Sequence, residues 1–408
     1  MHYPQVSLYA LMLAAAGIPL YIHLPQFAAV ELGMGLGALG VVLLVIRLVD
    51  LVQDPLIGWA IDRWPRAQGV FAIAAALGLA IGFPALFTLD AGPNVALRLT
   101  GVLVLLFTAY SLGSILLYGR SATLALRPEP QALMTLAAFR EGGMLAGVVL
   151  AAIAPAVATA LGAQGQGYGA FGWGLGLLAL CVGAATVPMW RRPAIIGAAV
   201  SVKGLGDAGA LRLLGLALAN SLPVAMTSTL FLFFVQDKLM LPDAAGPLLM
   251  LFFISAGVSV PFWTRISGRI GPKRTLLIAM PLSIVGFGAT AFLSAGDLWP
   301  FAAVCIAAGA ALGADTVLLP AMFSVALTRA RLNASLAFGI WAFAGKLGLA
   351  LAAFLVMPVL EWNGFNPSQS NDAQALGALT AAYAIVPCCL KLIAWFLVAR
   401  LPQDETAG

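Results

Sequence analysis

The sequence predicts an all-α polytopic membrane protein whose twelve transmembrane helices form two six-helix bundles. Three observations predict it. Of the 408 residues, 62% are hydrophobic and only 9% are charged, whereas a soluble domain carries about 25% charged residues. Twelve apolar stretches reach the roughly 20 residues that a helix needs to cross a bilayer. The longest polar stretch, Trp190 to Gly209, divides them six plus six. The expected organisation is an N-terminal bundle over 1–189, a cytoplasmic linker over 190–209 and a C-terminal bundle over 210–408. A transmembrane barrel is excluded, because its strands would alternate polar and apolar residues.

The expected spans are 6–29, 36–62, 69–89, 97–119, 132–161, 169–189, 210–236, 244–266, 274–294, 299–326, 334–360 and 375–400. Span one has no cleavable signal pattern and reads as a helix in its own right. It holds His23, read as a hydrogen-bonded core or interface residue. Span five carries the adjacent Arg140 and Glu141. Neighbours on a helix point about 100° apart, so the two are expected to reach other helices instead of each other. Span ten carries Asp315, a lone mid-span acid and so a candidate for solute binding or proton carriage. Span eleven carries Lys346 between Gly345 and Gly348, and small residues let helices approach closely. Lys391 of span twelve is expected to snorkel to the interface. Trp64, Trp190, Trp299 and Trp362 read as interface anchors. Cys181, Cys305, Cys388 and Cys389 have no metal or disulfide spacing and read as small buried residues.

Lys and Arg set the orientation. With both termini inside, 15 of the 21 lie on inner segments, two (Arg98 and Lys238) on outer ones, and Arg47, Arg140, Lys346 and Lys391 within spans. Both termini are therefore expected to be cytoplasmic. The net charge of +5 reflects this bias and is no sign of nucleic-acid binding. The halves also read as distant repeats. Span two ends in Asp62-Arg63-Trp-Pro-Arg66 and span eight in Arg265-Ile-Ser-Gly-Arg269-Ile-Gly-Pro-Lys273-Arg274, so each half has a basic cluster after its second span. Two such halves around a cavity are a transporter layout.

The chemistry concentrates in span two. Asp50 and Asp54 are four residues apart on one helical face, about 6 Å along the axis, and Arg47 extends the stripe. An ionised carboxylate at mid-membrane costs at least ~2.5 kcal/mol and so faces a cavity, a partner or a cation. Two acids and one base leave a negative surplus, which a small cation or a proton would balance. If the ion is sodium, Asp50 and Asp54 are its ligands. The alternative is a structural charge network with Arg47, Arg140 or Lys346. Tyr118, Trp341 and Phe343 are candidates for stacking on a solute. At the expected cytoplasmic end, Gly58, Asp62, Arg63 and Arg66 read as a latch that pairs in one state and releases in another, with Glu141 as a partner for a motif arginine. There is no nucleophile elbow, phosphate loop or metal-binding Cys or His pair, and no enzyme is expected.

Gly58-x-x-x-Asp62-Arg63-x-x-Arg66 resembles the loop motif of the major facilitator superfamily. Arg47-x-x-Asp50-x-x-Gln53-Asp54-Pro55-x-x-Gly58 resembles the second helix of its glycoside–pentoside–hexuronide:cation symporters, the melibiose permease family, with Gln53 where that family has Asn. Tyr118 to Gly142, Leu319-Pro320-Ala321-Met322, and Phe338-Gly339 through Lys346 and Gly348 are similar to the same family. The resemblance implies the major facilitator fold and a cation site at Asp50 and Asp54, with Gln53 as an oxygen donor. It also implies that Arg47, Arg140 and Lys346 line a central cavity, and that a monomer works alone. It does not imply a sugar. The positions of the family's sugar-binding acids fall at Ala14 and near Gly113, and its acidic run after helix ten is replaced by Thr328-Arg329-Ala-Arg331-Leu-Asn333.

The expected function is therefore Na+- or H+-coupled symport of a small organic solute by alternating access, in a bacterial inner membrane. A neutralised acid pair leaves Arg47, Arg140 and Lys346 to favour an anionic or amphiphilic solute (a carboxylate, a uronide or a lysolipid), with a glycoside still open. Two alternatives stand beside it: a proton-driven exporter of lipophilic compounds, and a non-transporting assembly or sensor protein on the same fold.

Overall fold

The structure, a computed structural model, describes residues 3–20, 24, 27–28, 31–34, 36–125, 129–160, 167–366 and 371–402. Part of the first expected span, His23 included, lies outside the described residues. The helices in chain order are α1 (Tyr3–Ile18), α2 (Leu36–Arg63), α3 (Gln68–Phe87), α4 (Val95–Gly119), α5 (Pro130–Ala160) and α6 (Gly167–Thr186). There follow α7 (Ala210–Phe233), α8 (Ala245–Ile270), α9 (Pro272–Ala289), α10 (Leu298–Arg329) and α11 (Ser335–Trp362). In the last, α12, a π-helical turn at Ala381–Ile385 joins Ala373–Thr380 to Val386–Ala399. Ten stretches among the described residues are long and apolar enough to cross a membrane, and α2, at 28 residues, has the length as well. With α1 they make a twelve-helix membrane protein.

The helices sort into two compact units. The first holds Met1–Pro128, Phe139–Ser201 and Leu327–Phe343; the second holds Glu129–Ala138, Val202–Ala326 and Ala344–Gly408. The break between Ser201 and Val202 falls inside the expected linker. Chain order does not fix membership, however: the start of α5 groups with the second unit, and the first turns of α11 with the first.

In the first unit α3 packs between α4 and α6, with Phe87 stacked on Tyr168 at 5.5 Å and Phe27 edge-on to both. The first part of the linker is fastened to this unit. Gln68 donates to the carbonyls of Trp190 (2.9 Å) and Arg192, and Arg192 donates to those of Leu124 (3.1 Å) and Ala125 (3.2 Å). The Ala198 N–H donates to Arg331 C=O (2.7 Å), and the Asn333 N–H to Ala198 C=O (2.9 Å). Trp190 is accordingly no interface anchor. It is 4% exposed and lies edge-on to Tyr9 at 5.1 Å, with its carbonyl held by Gln68 at the start of α3. Trp64, Trp299 and Trp362 are exposed.

In the second unit α7 and α9 pack on α12. The core centres on Phe234 and Tyr383, stacked at 4.2 Å, with Phe301 beside them. Cys305 is buried, but Cys181 and Cys389 are exposed on their helices, where a small thiol is at home against lipid.

The α2 helix has its polarity turned inward. Val41, Leu44, Leu48, Val52, Leu56 and Trp59 are exposed, at three- to four-residue spacing. The buried face carries Val42, Ile46, Asp50, Asp54, Gly58 and Ile61. Lipid takes the apolar stripe, so the acids must turn to the protein interior.

Candidate functional site

Both α2 acids are fully buried, at 0% exposure. The Arg47 guanidinium lies 3.8 Å from Asp50 Oδ2, and its face is 5.8 Å from the Phe107 ring. Gln53 donates its amide to Asp50 Oδ1 at 2.8 Å, while its carbonyl accepts from the Thr108 hydroxyl of α4 at 2.7 Å. The carboxylate only accepts whereas the Thr108 hydroxyl can donate or accept, so it is Asp50 that sets the amide's orientation. Gln53 thus presents an N–H to the site, where an oxygen was expected. Thr108 is a member of this network that the sequence did not single out. Pro55 follows Asp54 and has no N–H, so one main-chain hydrogen bond of α2 is missing beside the acids.

A second cluster joins α4, α5 and α11. Tyr118 donates its hydroxyl to Glu141 Oε1 at 2.8 Å, and Arg140 Nε lies 3.0 Å from the same oxygen. The Arg140 guanidinium is stacked over the Tyr118 ring, 3.6 Å from its centre. Phe338 is 5.5 Å from Tyr118 and 6.2 Å from Trp341, which continues the aromatic row. This corrects the expectation that Arg140 and Glu141 do not satisfy each other. Their long side chains curl across the 100° between them, because both are buried and burial makes pairing compulsory. It also takes Glu141 away from the motif arginines: Arg63 and Arg66 are exposed.

At the basic end of α2, Asp62 accepts from the N–H groups of Ser335 (3.2 Å) and Leu336 (2.8 Å). These open α11, so a carboxylate from another helix caps it where the orphan N–H groups and the helix dipole favour negative charge. Two glycines let the chains meet. A β-carbon on Gly58 would stand 2.8 Å from Leu336 Cα, and one on Gly119 2.7 Å from Ser335 Cα. Arg120, just beyond α4, donates to the Ile61 carbonyl at 2.7 Å. Burial pulls its guanidinium pKa down, and Asp62 acts against that shift.

In the second unit Asp315 of α10 is paired. Lys391 of α12 donates to Asp315 Oδ2 and to Asn220 Oδ1 (2.6 Å), and Asn220 of α7 donates to Asp315 Oδ2 (3.2 Å). Lys391 is 5% exposed. It does not snorkel, because a buried acid one helix away offers a better partner than the distant interface. Asn220 was missed as well; a carboxamide inside an apolar span was the available signal. Lys346 is half-buried on α11 in this unit. Among the described residues, no three His, Cys, Asp or Glu side chains form a metal site.

The family model described as MFS/sugar transport protein matches residues 6–405. A search of curated proteins finds no match. Among solved structures, a bacterial homologue of the iron transporter ferroportin in an outward-facing state aligns at TM-score 0.69 and 16% identity. The alignment covers 97% of this chain and 99% of that one. A variant of the E. coli fucose:proton symporter FucP aligns at TM-score 0.67 and 13% identity, over 100% of this chain and 98% of that one. At these identities the likeness shows the fold alone.

Proposed function

Because the chain belongs to the MFS/sugar transport protein family and has the major facilitator fold, we propose that this transporter is a cation-coupled symporter of the melibiose permease type. It moves a small organic solute by alternating access. One observation carries the reading: Asp50 and Asp54 are fully buried one turn apart on the same face of α2. Like charges that close disfavour double ionisation, and a bound cation or proton relieves them. A proton needs no rearrangement of the network. Sodium needs oxygens, so the Gln53 amide would have to turn. Ion binding then biases the state that binds solute, by a coupling energy of ~1–3 kcal/mol.

The solute-facing candidates are Tyr118, Arg140 and Trp341, with Arg47 beside the acids and Lys346 on α11. An aromatic row beside a guanidinium suits an anionic or amphiphilic solute. Asp62 at the start of α11 is the latch, with Gly58 giving it access. We place both termini in the cytoplasm and take the monomer as the working unit.

The test is thermal unfolding of the purified protein and of Asp54→Asn, with and without sodium, from mildly acidic to alkaline pH. A ligand of the folded state raises stability with its saturation. A sodium-dependent rise lost in the variant supports sodium coupling, and a pH response lost in it supports a proton. If neither response involves Asp54, the acids are structural and the symporter reading fails.

A further inference from the structure

In the second unit α9 and α12 are bound side by side. The Lys273 ammonium donates to the Leu401 carbonyl, the Trp395 indole N–H to that of Leu277 (3.1 Å), and the Cys388 thiol to that of Ile284 (3.2 Å). Numbers rise on one helix as they fall on the other, so the two run antiparallel. Arg274, at the start of α9, therefore stands level with Arg400, at the end of α12. Each arginine closes an exposed apolar stripe at helical spacing: Arg274 that of Ile278, Leu282 and Val285, and Arg400 that of Leu392 and Phe396. At the same end, α8 turns into α9 through Gly271. It repeats the pattern, with exposed Arg265 and Arg269 one and two turns beyond the exposed Phe262. All three helices are long and apolar enough to cross a membrane.

The side chains of these four arginines have no hydrogen-bond or ion-pair partner among the described residues. Helices α8, α9 and α12 contain no Asp or Glu. The next acids after α12, Asp404 and Glu405, lie outside the described residues. A topology signal needs only basic residues near the ends of spans. Arg120 and Arg192 meet that need while donating to main-chain carbonyls. The four arginines differ in being unpaired, gathered at one end and in line with apolar stripes.

We propose that Arg265, Arg269, Arg274 and Arg400 form a binding surface for the headgroups of anionic phospholipids, whose acyl chains lie along the stripes of α9 and α12. A guanidinium offers a planar fork that matches phosphate oxygens, and basic clusters at the end of a membrane helix attract anionic lipid. The lysine of the cluster, Lys273, instead pins the two helices together. The surface selects by charge. A zwitterionic lipid brings an ammonium group as well as a phosphate, and these three helices have no acid to receive it. The surface lies apart from the α2 acids and does not rest on the symporter reading.

The test is native mass spectrometry of the detergent-purified full chain, titrated with a dioleoyl phosphatidylglycerol, the matching phosphatidylcholine, or glycerol 3-phosphate. Phosphatidylglycerol should bind at least fivefold more tightly than phosphatidylcholine, and less tightly as salt rises. Glycerol 3-phosphate, which has no acyl chains, should bind far more weakly. Arg274→Gln/Arg400→Gln should lose about fivefold in phosphatidylglycerol affinity for each arginine removed and leave phosphatidylcholine unchanged. Arg98→Gln/Lys238→Gln removes the same net charge elsewhere and should bind phosphatidylglycerol like the wild type. The substituted arginines are exposed and unpaired, so thermal unfolding and its Asp54-dependent ion response should not change. Equal affinity for the two lipids overturns the proposal, as does undiminished binding by Arg274→Gln/Arg400→Gln or an equal loss in the charge control. Glycerol 3-phosphate binding as tightly as the lipid would show a site for free phosphate esters and overturn it too.

Discussion

Gly339 of α11 lies against the main chain of Asp54 in α2: a β-carbon there would stand 2.5 Å from the Asp54 carbonyl oxygen. Four residues earlier in α11, Ser335 meets Gly58, four residues later in α2. The two helices therefore run antiparallel across a glycine-lined contact, and the turn that holds the buried acid is the turn on which α11 rests. Small residues of this kind let membrane helices approach closely.

Gly339→Ala should push α11 off α2 and cost about 1–3 kcal/mol, the usual range for overpacking. It should also weaken the ion response of Asp54, whose main chain it displaces. Gly142→Ala, where an added β-carbon meets nothing within 4 Å, is the control. Thermal unfolding with and without sodium reads both effects, and a silent Gly339→Ala would mean that the contact is looser than described.

Removing the Asp62 carboxylate should uncap α11. Asp62→Ala is expected to cost about 1 kcal/mol, within the range of about 0.5–2 kcal/mol for lost caps. Asp62→Asn keeps an acceptor and should lose less. Denaturant unfolding of the two variants checks the order. Equal losses would mean that charge, and not the hydrogen bonds to Ser335 and Leu336, supplies the effect.

Glu141→Gln should destabilise by about 3–5 kcal/mol, since it leaves the buried Arg140 charge without its partner. Arg140→Gln/Glu141→Gln removes both charges and should recover part of the loss. A double-mutant cycle measures the coupling. A coupling near zero would show that the stack on Tyr118, at 3.6 Å, holds Arg140 by itself.

Much of this protein was legible before any fold was considered. Span number followed from apolar length, because a bilayer imposes a fixed thickness on every helix. The importance of α2 followed from Asp50 and Asp54, because a mid-membrane acid always needs a reason. That cost also required them to face a cavity, a partner or a cation, and the structure meets it by exposing Leu44, Leu48, Val52 and Leu56 and burying both acids.

What partners those charges take was decided only by the tertiary structure. Helical geometry separates Arg140 from Glu141, yet burial brings them onto one oxygen with Tyr118. Lys391 looked near enough to a helix end to escape the membrane, but Asp315 and Asn220, 76 and 171 residues away in sequence, hold it inside. Trp190 looked like an interface anchor until the linker folded back on the first unit. Sequence determines the cost of placing each polar group in the membrane, which is local. Three-dimensional packing determines who meets that cost, since a partner side chain can lie anywhere along the chain.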